Sequence, residues 1–227
     1  MNTYTVLDLE TTGLDYTKEQ IIEIGAIKID ENYNEIDRFH TMVSLEEGRE
    51  LSEFITKLTG ITEKDLEGYP PENICLMELA EFIGDSIVVA QNAPFDLSFI
   101  SRGGIEPEKF ICTRALVRYV EPELSASLKD VTKRNGISLE GHHRALNDVV
   151  ATIEVLKLYK GKLKAYSHNT VLDEPSRPLK FTPKNALVRQ VNYIALDTEE
   201  LDYMIKNLPE NATFRKRLEQ VKLRSNN

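Results

Sequence analysis

The sequence predicts an α/β protein: a mixed five-stranded sheet flanked by helices, with a C-terminal helical extension. Three β-branched or aromatic-rich runs stand together near the start, helical periodicity alternating with short apolar runs follows, and the composition changes beyond residue 160. Consecutive strands followed by alternating helices and strands imply an α/β sandwich with a mixed sheet.

Residues 3–9 (TYTVLDL), 20–30 (QIIEIGAIKID) and 34–43 (NEIDRFHTMV) are divided by turn-like stretches and read as three largely antiparallel strands. Short helices are expected near 52–58 and 62–68, and a clearer one over 72–83. The SIVVA run at 86–90 is a short buried strand. Asn92-Ala93-Pro94 then supplies a capping residue with proline in the first turn of a helix, which Gly103-Gly104 closes. KFIC at 109–112 makes the fifth strand, and helices near 113–120 and 127–135 follow. The last strong helix, 144–160, carries Leu146, Val149, Val150, Ile153 and Leu156 on one stripe. From Gly161 onward, Pro175, Pro178 and Pro183 stand in polar surroundings before two candidate helices, 198–207 and 211–224, separated by Pro209. The expected organisation is a body at 1–160 and a linker with a basic helical extension at 161–227.

A chain of 227 residues is long enough for one substantial core plus an appendage. No basic segment precedes an apolar run at the start, and no apolar stretch approaches the roughly 20 residues that span a bilayer, so the expectation is a soluble, cytoplasmic protein without a membrane partner. Cys75 and Cys112 lack any paired spacing, which indicates neither a zinc site nor a disulfide framework. The net charge of −9 argues at first against a nucleic-acid partner. Its distribution matters more: residues 1–160 hold 16 basic and 29 acidic side chains, residues 161–227 hold 12 and 8. An acidic body still binds nucleic acid if divalent cations invert a cluster of its carboxylates.

Such a cluster is suggested first by Asp8 and Glu10. Two residues apart on a strand, they leave the same face about 7 Å apart. In a central strand the pair is destabilising unless protons or cations neutralise it, and hard oxygen ligands suit Mg²⁺ or Mn²⁺. Taken alone, the pair is more simply explained by an edge strand with a solvated face. Thr11, Thr12 and Gly13 end the strand with hydroxyls, backbone N–H groups and room for close approach, either a cradle for a sugar and phosphate or simply a turn. Asp96 lies one turn into the helix after the buried strand, where a carboxylate also compensates the helix dipole. Asn92 is an N-cap or a polar contact near a site. Asp148 lies beside the apolar stripe of the last helix, and His143 stands at that helix's entrance, where a neutral imidazole able to accept a proton is favoured over its cation. His142 reads as an exposed neighbour or a phosphate contact.

Together, DLETTGL at 8–14, NAPFDLSFI at 92–100 and HHRALND at 142–148, with LTGIT at 58–62 between the first two, resemble the motifs of the DEDDh 3′→5′ exonuclease family within the RNase H-like fold. The likeness covers residues 3–160 and is greatest to the proofreading epsilon subunits of bacterial DNA polymerase III and their stand-alone relatives. The spacing of His143 to Asp148 fits the histidine branch; the tyrosine branch would have Tyr where Arg144 stands. Two positions depart from the family pattern: Gln91, where His is usual, and Cys112, where Asp is common.

The resemblance implies two divalent cations, Mg²⁺ or Mn²⁺, with Asp8 bridging, Glu10 and Asp148 completing one ion and Asp96 serving the other, and His143 as the base. It implies hydrolysis of the terminal phosphodiester of DNA to nucleoside 5′-monophosphates in proofreading, repair or end-trimming, on a free and preferably single-stranded 3′ end; RNA 3′-end trimming is the alternative substrate. A catalytically silent nucleic-acid-binding or polymerase-docking module is the alternative of another class. Leu14 and Phe95 are candidates for an apolar wedge against the terminal base, or else core residues, and Thr11 and Thr12 for contacts to its ribose and phosphate. The basic tail, with Arg215, Lys216, Arg217, Lys222 and Arg224, grips a nucleic-acid backbone, forms a solvated helix, or docks on a polymerase or a second copy of the chain.

Overall fold

In the computed structural model, the N-terminal meander is built from β1 (Tyr4–Thr11), β2 (Ile21–Ile29) and β3 (Glu35–Met42), each antiparallel to the next. The structure describes residues 2–162, 168–174, 177–191, 198–208, 215, 216, 218–220 and 222. After the meander come α1 (Glu53–Thr59), α2 (Glu63–Leu66), α3 (Glu72–Ile83), β4 (Ile87–Ala90), α4 (Ala93–Ile100), β5 (Phe110–Cys112), α5 (Thr113–Val120), α6 (Leu128–Asn135) and α7 (Ala145–Lys160). β4 lies parallel to β1, and β5 parallel to β4, giving the mixed sheet β3-β2-β1-β4-β5. β1 is therefore the central strand, which removes the edge-strand explanation of Asp8 and Glu10. The exposed β3 edge is blunted by charge, with Arg38 paired to Glu35.

Side chains alternate across the sheet, and each face has its own core. Leu7, Leu9, Ile24 and Ala26 pack with α3 and α4 side chains such as Leu76, Leu79, Leu97 and Phe99. Tyr4, Val6, Ile27 and Ile29 face the other way, with Val149, Ile153 and Leu156 of α7. By the same alternation, Asp8 and Glu10 continue the row of Tyr4 and Val6, and Glu23 and Gly25 the row of Ile27 and Ile29, so all four face the α7 side. Of the predicted α7 stripe, Val150 is exposed and the other four are at least partly buried.

Gly25 sets how closely α7 descends on the sheet. It pairs with Asp8 across the ladder, and a Cβ added there would lie 2.7 Å from both the backbone carbon of Ala145 and the backbone nitrogen of Leu146. Backbone cannot yield as a flexible side chain can. Gly25→Ala should therefore cost about 1–3 kcal/mol in a denaturant melt and reduce activity with it, because it lifts the helix start that carries Asp148. A variant of native stability and activity would show that this approach is loose.

The segment after Gly161 is more than a linker. Strands β6 (Thr170–Asp173) and β7 (Leu187–Gln190) form a two-stranded parallel sheet, and α8 (Thr198–Asn207) follows as predicted. Asn169 ties this unit to β5: its N–H donates to the Phe110 carbonyl at 2.9 Å, and its Oδ1 accepts from the Phe110 N–H at 2.9 Å. Val171 is fully buried in the α3–α4 core. The predicted helix 211–224 falls largely outside the described residues, as do Arg217 and Arg224. Of the described tail residues, Leu218 packs with Leu124 and Leu201, Arg215 pairs with Glu219, and Lys222 pairs with Asp202.

Candidate active site

Strand alternation, the descent of α7 and the turn into α4 bring the predicted acidic residues to one place. One carboxylate oxygen from each of Asp8, Glu10 and Asp148 lies within 4.8 Å of the other two. Asp96 comes in from the first turn of α4, almost wholly buried, as are Glu10 and Asp148. Burial raises the Asp8 carboxyl well above its ordinary range, and the charges of Asp96, Glu10 and Asp148 add to it. Burial, then the charges of Asp148 and Glu23, pushes Glu10 up to about 8. Asp96 is also pushed up to about 8 by burial, against hydrogen bonds from its own N–H and that of Leu9.

Glu23 shows what a satisfied carboxylate looks like in the same place. It faces Glu10 directly across the β1–β2 ladder, and its side chain is only 1% exposed. It accepts from His40 Nε2 at 2.8 Å, from an Arg144 terminal nitrogen at 3.0 Å and from the Ala145 N–H at 3.1 Å. Burial works against its charge, but these bonds hold its carboxyl down at about 2. The chain thus gives Glu23 three direct donors, Arg144 among them, whereas at Glu10 the charge of Arg144 does not offset burial and the neighbouring carboxylates, which a proton or an external cation would neutralise. Oxygen-only donors, buried and mutually repelling, are the chemistry that Mg²⁺ or Mn²⁺ takes, so the residues fit the implied ions.

A stability consequence follows. Glu10 and Asp96 bind protons more tightly folded than unfolded, so the folded state holds excess protons between their ordinary values, 4.5 and 3.8, and about 8. Their contribution to stability is present below that window and lost as pH rises through it. In EDTA, the melting temperature should carry this loss between about pH 5 and 8, and Mg²⁺ should raise it more at pH 8 than at pH 6. An equal Mg²⁺ effect at both pH values would remove the link between these carboxylates and the metal.

The histidines meet Asp148 from the loop before α7. His143 has a left-handed backbone, φ 66°, which a non-glycine residue adopts only under constraint. That turn stacks the His142 and His143 rings with centroids 3.8 Å apart. The His143 N–H donates to Asp148 Oδ2 at 3.3 Å, and His142 Nδ1 lies 2.9 Å from both Asp148 oxygens. The His142 ring is therefore the one in contact with Asp148, a contact that its expected place as an exposed neighbour or a phosphate contact did not include. Burial, then the nearby His142, lowers the His143 imidazole below its ordinary value, which keeps it neutral and able to take a proton.

The remaining predicted residues divide between turn and cleft. Thr11 Oγ1 donates to the Gly13 carbonyl at 2.7 Å; Thr12 Oγ1 donates to Glu19 at 2.6 Å and accepts from the Gln20 N–H at 2.9 Å. Both hydroxyls hold the turn after β1, and a Cβ on Gly13 would press on the Glu19 side chain at 2.8 Å. Asn92 occupies the N-cap position of α4 but makes no capping bond with its side chain. Asn92, Phe95 and Leu14 line a cleft of about 320 Å³ whose wall does not include the carboxylates themselves. Leu14 is 71% exposed, so the core explanation fails for it; Phe95 is partly buried against Phe99, 5.1 Å between ring centroids.

The two departures from the family pattern lie at the ends of β4 and β5, and Cys112 is among the residues that line the cleft. Gln91 donates to the Ala126 carbonyl at 2.8 Å and accepts from the Thr113 hydroxyl, tying the end of β4 to α5. Cys112 is buried at the end of β5. The sequence reading missed Glu23 and Gly25. The signals for them were an acid and a glycine two apart inside a largely apolar strand, the pattern of a buried polar partner and a close backbone approach.

Comparison with known proteins agrees with this architecture. An exonuclease family model (RNase_T) matches residues 5–156. A DNA polymerase III of PolC type from Clostridium perfringens is 40% identical over 167 residues, and one from Thermotoga maritima 38% over 168; each match takes in 71% of this chain. The chain spans only 11% and 12% of the length of those curated relatives. Among solved structures, E. coli exonuclease I in complex with a dT13 oligonucleotide superposes with TM-score 0.62 at 20% identity, covering 71% of this chain and 42% of that one. The zinc-bound form of the E. coli exonuclease I–ssDNA complex gives 0.63 at 22% identity, covering 71% and 41%. Those likenesses speak for the RNase H-like fold; with the family model spanning the strands and helices that carry all the clustered carboxylates and both histidines, the chain belongs to the RNase_T exonuclease family.

Proposed function

We propose that this protein is a 3′→5′ exonuclease that hydrolyses the terminal phosphodiester of single-stranded DNA and releases nucleoside 5′-monophosphates. The observation that carries the reading is the carboxylate cluster itself: oxygens of Asp8, Glu10 and Asp148 lie within 4.8 Å of one another, Asp8 and Glu10 are pushed up by burial and by neighbouring carboxylates, and a histidine held neutral stands beside them. Asp8, Glu10, Asp96 and Asp148 would hold two divalent ions, Mg²⁺ or Mn²⁺. Such a pair, when bound, stabilises the charge on the attacking and departing oxygens. His143 accepts a proton from the attacking water on an imidazole nitrogen as the water oxygen bonds to phosphorus. The bond from phosphorus to the 3′ oxygen breaks, and that oxygen leaves on the shortened strand and takes up a proton. His142 orients Asp148, and Arg144 with Glu23 fixes the loop on which both histidines sit. Leu14 and Phe95 offer apolar surface to a terminal base of any identity, since stacking does not read base edges.

DNA rather than RNA is favoured because the relatives are named as DNA polymerases and the superposed neighbours hold a dT13 oligonucleotide and ssDNA. Residues 1–160 would be the exonuclease unit, and 161–227 an appendage to it. The test is a time course on 5′-labelled single-stranded DNA and RNA with Mg²⁺, Mn²⁺ or EDTA. A ladder shortening one nucleotide at a time from the 3′ end, faster on DNA and absent in EDTA, is expected. Internal fragments, or no cleavage under any metal, would overturn it.

A further inference from the structure

Residues 177–181, between β6 and β7, line the cleft together with Pro94, Phe95 and Ser98 of α4. The loop is fixed at both ends: Asp173 Oδ1 accepts from the Leu179 N–H at 3.0 Å, its Oδ2 accepts from Gln190 Nε2 at 2.9 Å, and the Phe181 ring meets Tyr16 edge-on at 5.4 Å. This wall belongs to this chain's own appendage, since the family match ends at residue 156.

The wall is positively charged. Glu174 is buried beneath it and pairs with Arg114 and with Arg118 Nε, the latter at 2.8 Å. Arg177 stands nearby, so three guanidinium groups surround one carboxylate. Arg114, Arg177 and Lys180 all line the same cleft as Leu14 and Phe95. Arg177 is exposed toward solvent, and the like charge of Arg114 acts against its guanidinium while Glu174 acts for it. The surplus stands out on a body with 29 acidic and 16 basic side chains over its first 160 residues. A cleft of about 320 Å³ is at the small end of ligand-sized sites, with room for a nucleotide unit rather than a base pair.

The geometry points to a backbone-binding wall for single-stranded nucleic acid, in which Arg177 and Lys180, backed by Arg114, hold the phosphodiesters preceding the 3′-terminal nucleotide. The proposal rests on the exonuclease reading for the direction of the strand, while its binding test does not depend on cleavage. The tail residues Arg215 and Lys222, by contrast, are committed to ion pairs within the appendage.

The test uses the full chain and its R177Q/K180Q variant. Fluorescence anisotropy follows a labelled thymidine decanucleotide and dinucleotide with hydrolysis-resistant phosphorothioate ends, in Mg²⁺ and across a salt series. The wild type is expected to gain at least about tenfold in affinity from the longer strand, and the variant to lose most of that gain. The slope of log affinity against log salt should fall by about 1.4, the value for two phosphate contacts on a single strand. R177K/K180R, which keeps both charges, should restore the slope. An unchanged length dependence and salt slope in R177Q/K180Q would overturn the proposal. If the wild type cleaves nothing yet shows this length dependence, the exonuclease reading fails and the wall stands.

Discussion

Asp8→Ala should abolish nuclease activity, by more than about 10⁴-fold, while leaving the metal-free protein no less stable than the wild type at pH 8. The activity loss should exceed that of a missing general base, typically 10²- to 10⁴-fold, because on the proposed reading Asp8 would help hold the metal and its loss would take metal and geometry together. The stability half follows from electrostatics. Asp8 sits on the central strand, its carboxyl raised by burial and by the charges of Asp96, Glu10 and Asp148. Without a cation, burying this carboxyl among like charges works against the fold, and its removal takes away the repulsion that it shares with Glu10. Activity gels and denaturant melts in EDTA measure the two halves. Degradation at the wild-type rate would sink the metal assignment. A large fall in apo stability would instead mark Asp8 as a structural group.

The acidic site was legible because strand period, helix capping and the three motifs all point to the same residues. Asp8 and Glu10 must share a face whatever the fold, and Asn92-Ala93-Pro94 announces the helix that carries Asp96. The sheet was legible for a similar reason, since β2 reads Ile-Ile-Glu-Ile-Gly-Ala-Ile between polar turns. The β6–β7 unit was not. Its strands are four residues long, β7 is exposed throughout, and the parallel pairing of Thr170 with Leu187 joins positions across a proline-rich stretch that reads as linker. What fixes it is non-local: Asn169 bonds to β5, and Glu174 reaches back to Arg114 and Arg118. The different contacts of the two histidines were hidden too, because they depend on a left-handed residue at His143, and although histidine is enriched in that conformation, most histidines do not adopt it.

That difference in contacts makes the pair of histidine variants a sharper experiment than either alone. His143→Ala should lower turnover by about 10²- to 10⁴-fold with Mg²⁺ affinity nearly unchanged by calorimetry, because its backbone N–H, which remains, is the group that donates to Asp148. His142→Ala should act differently. Its ring is the partner of both Asp148 oxygens, so its loss frees a carboxylate that would hold metal on the proposed reading, and Mg²⁺ affinity should fall along with a smaller drop in turnover. The pH profile separates them further. A base works only when deprotonated, and burial with the neighbouring His142 sets His143 below the ordinary imidazole value of 6.5. The wild-type rate should therefore climb on the acid side of that value and level off by neutrality, and the climb should vanish in His143→Ala. If His142→Ala instead loses the larger factor in turnover with metal affinity intact, the base is His142, and His143 serves to turn the chain and hold Asp148 through its backbone.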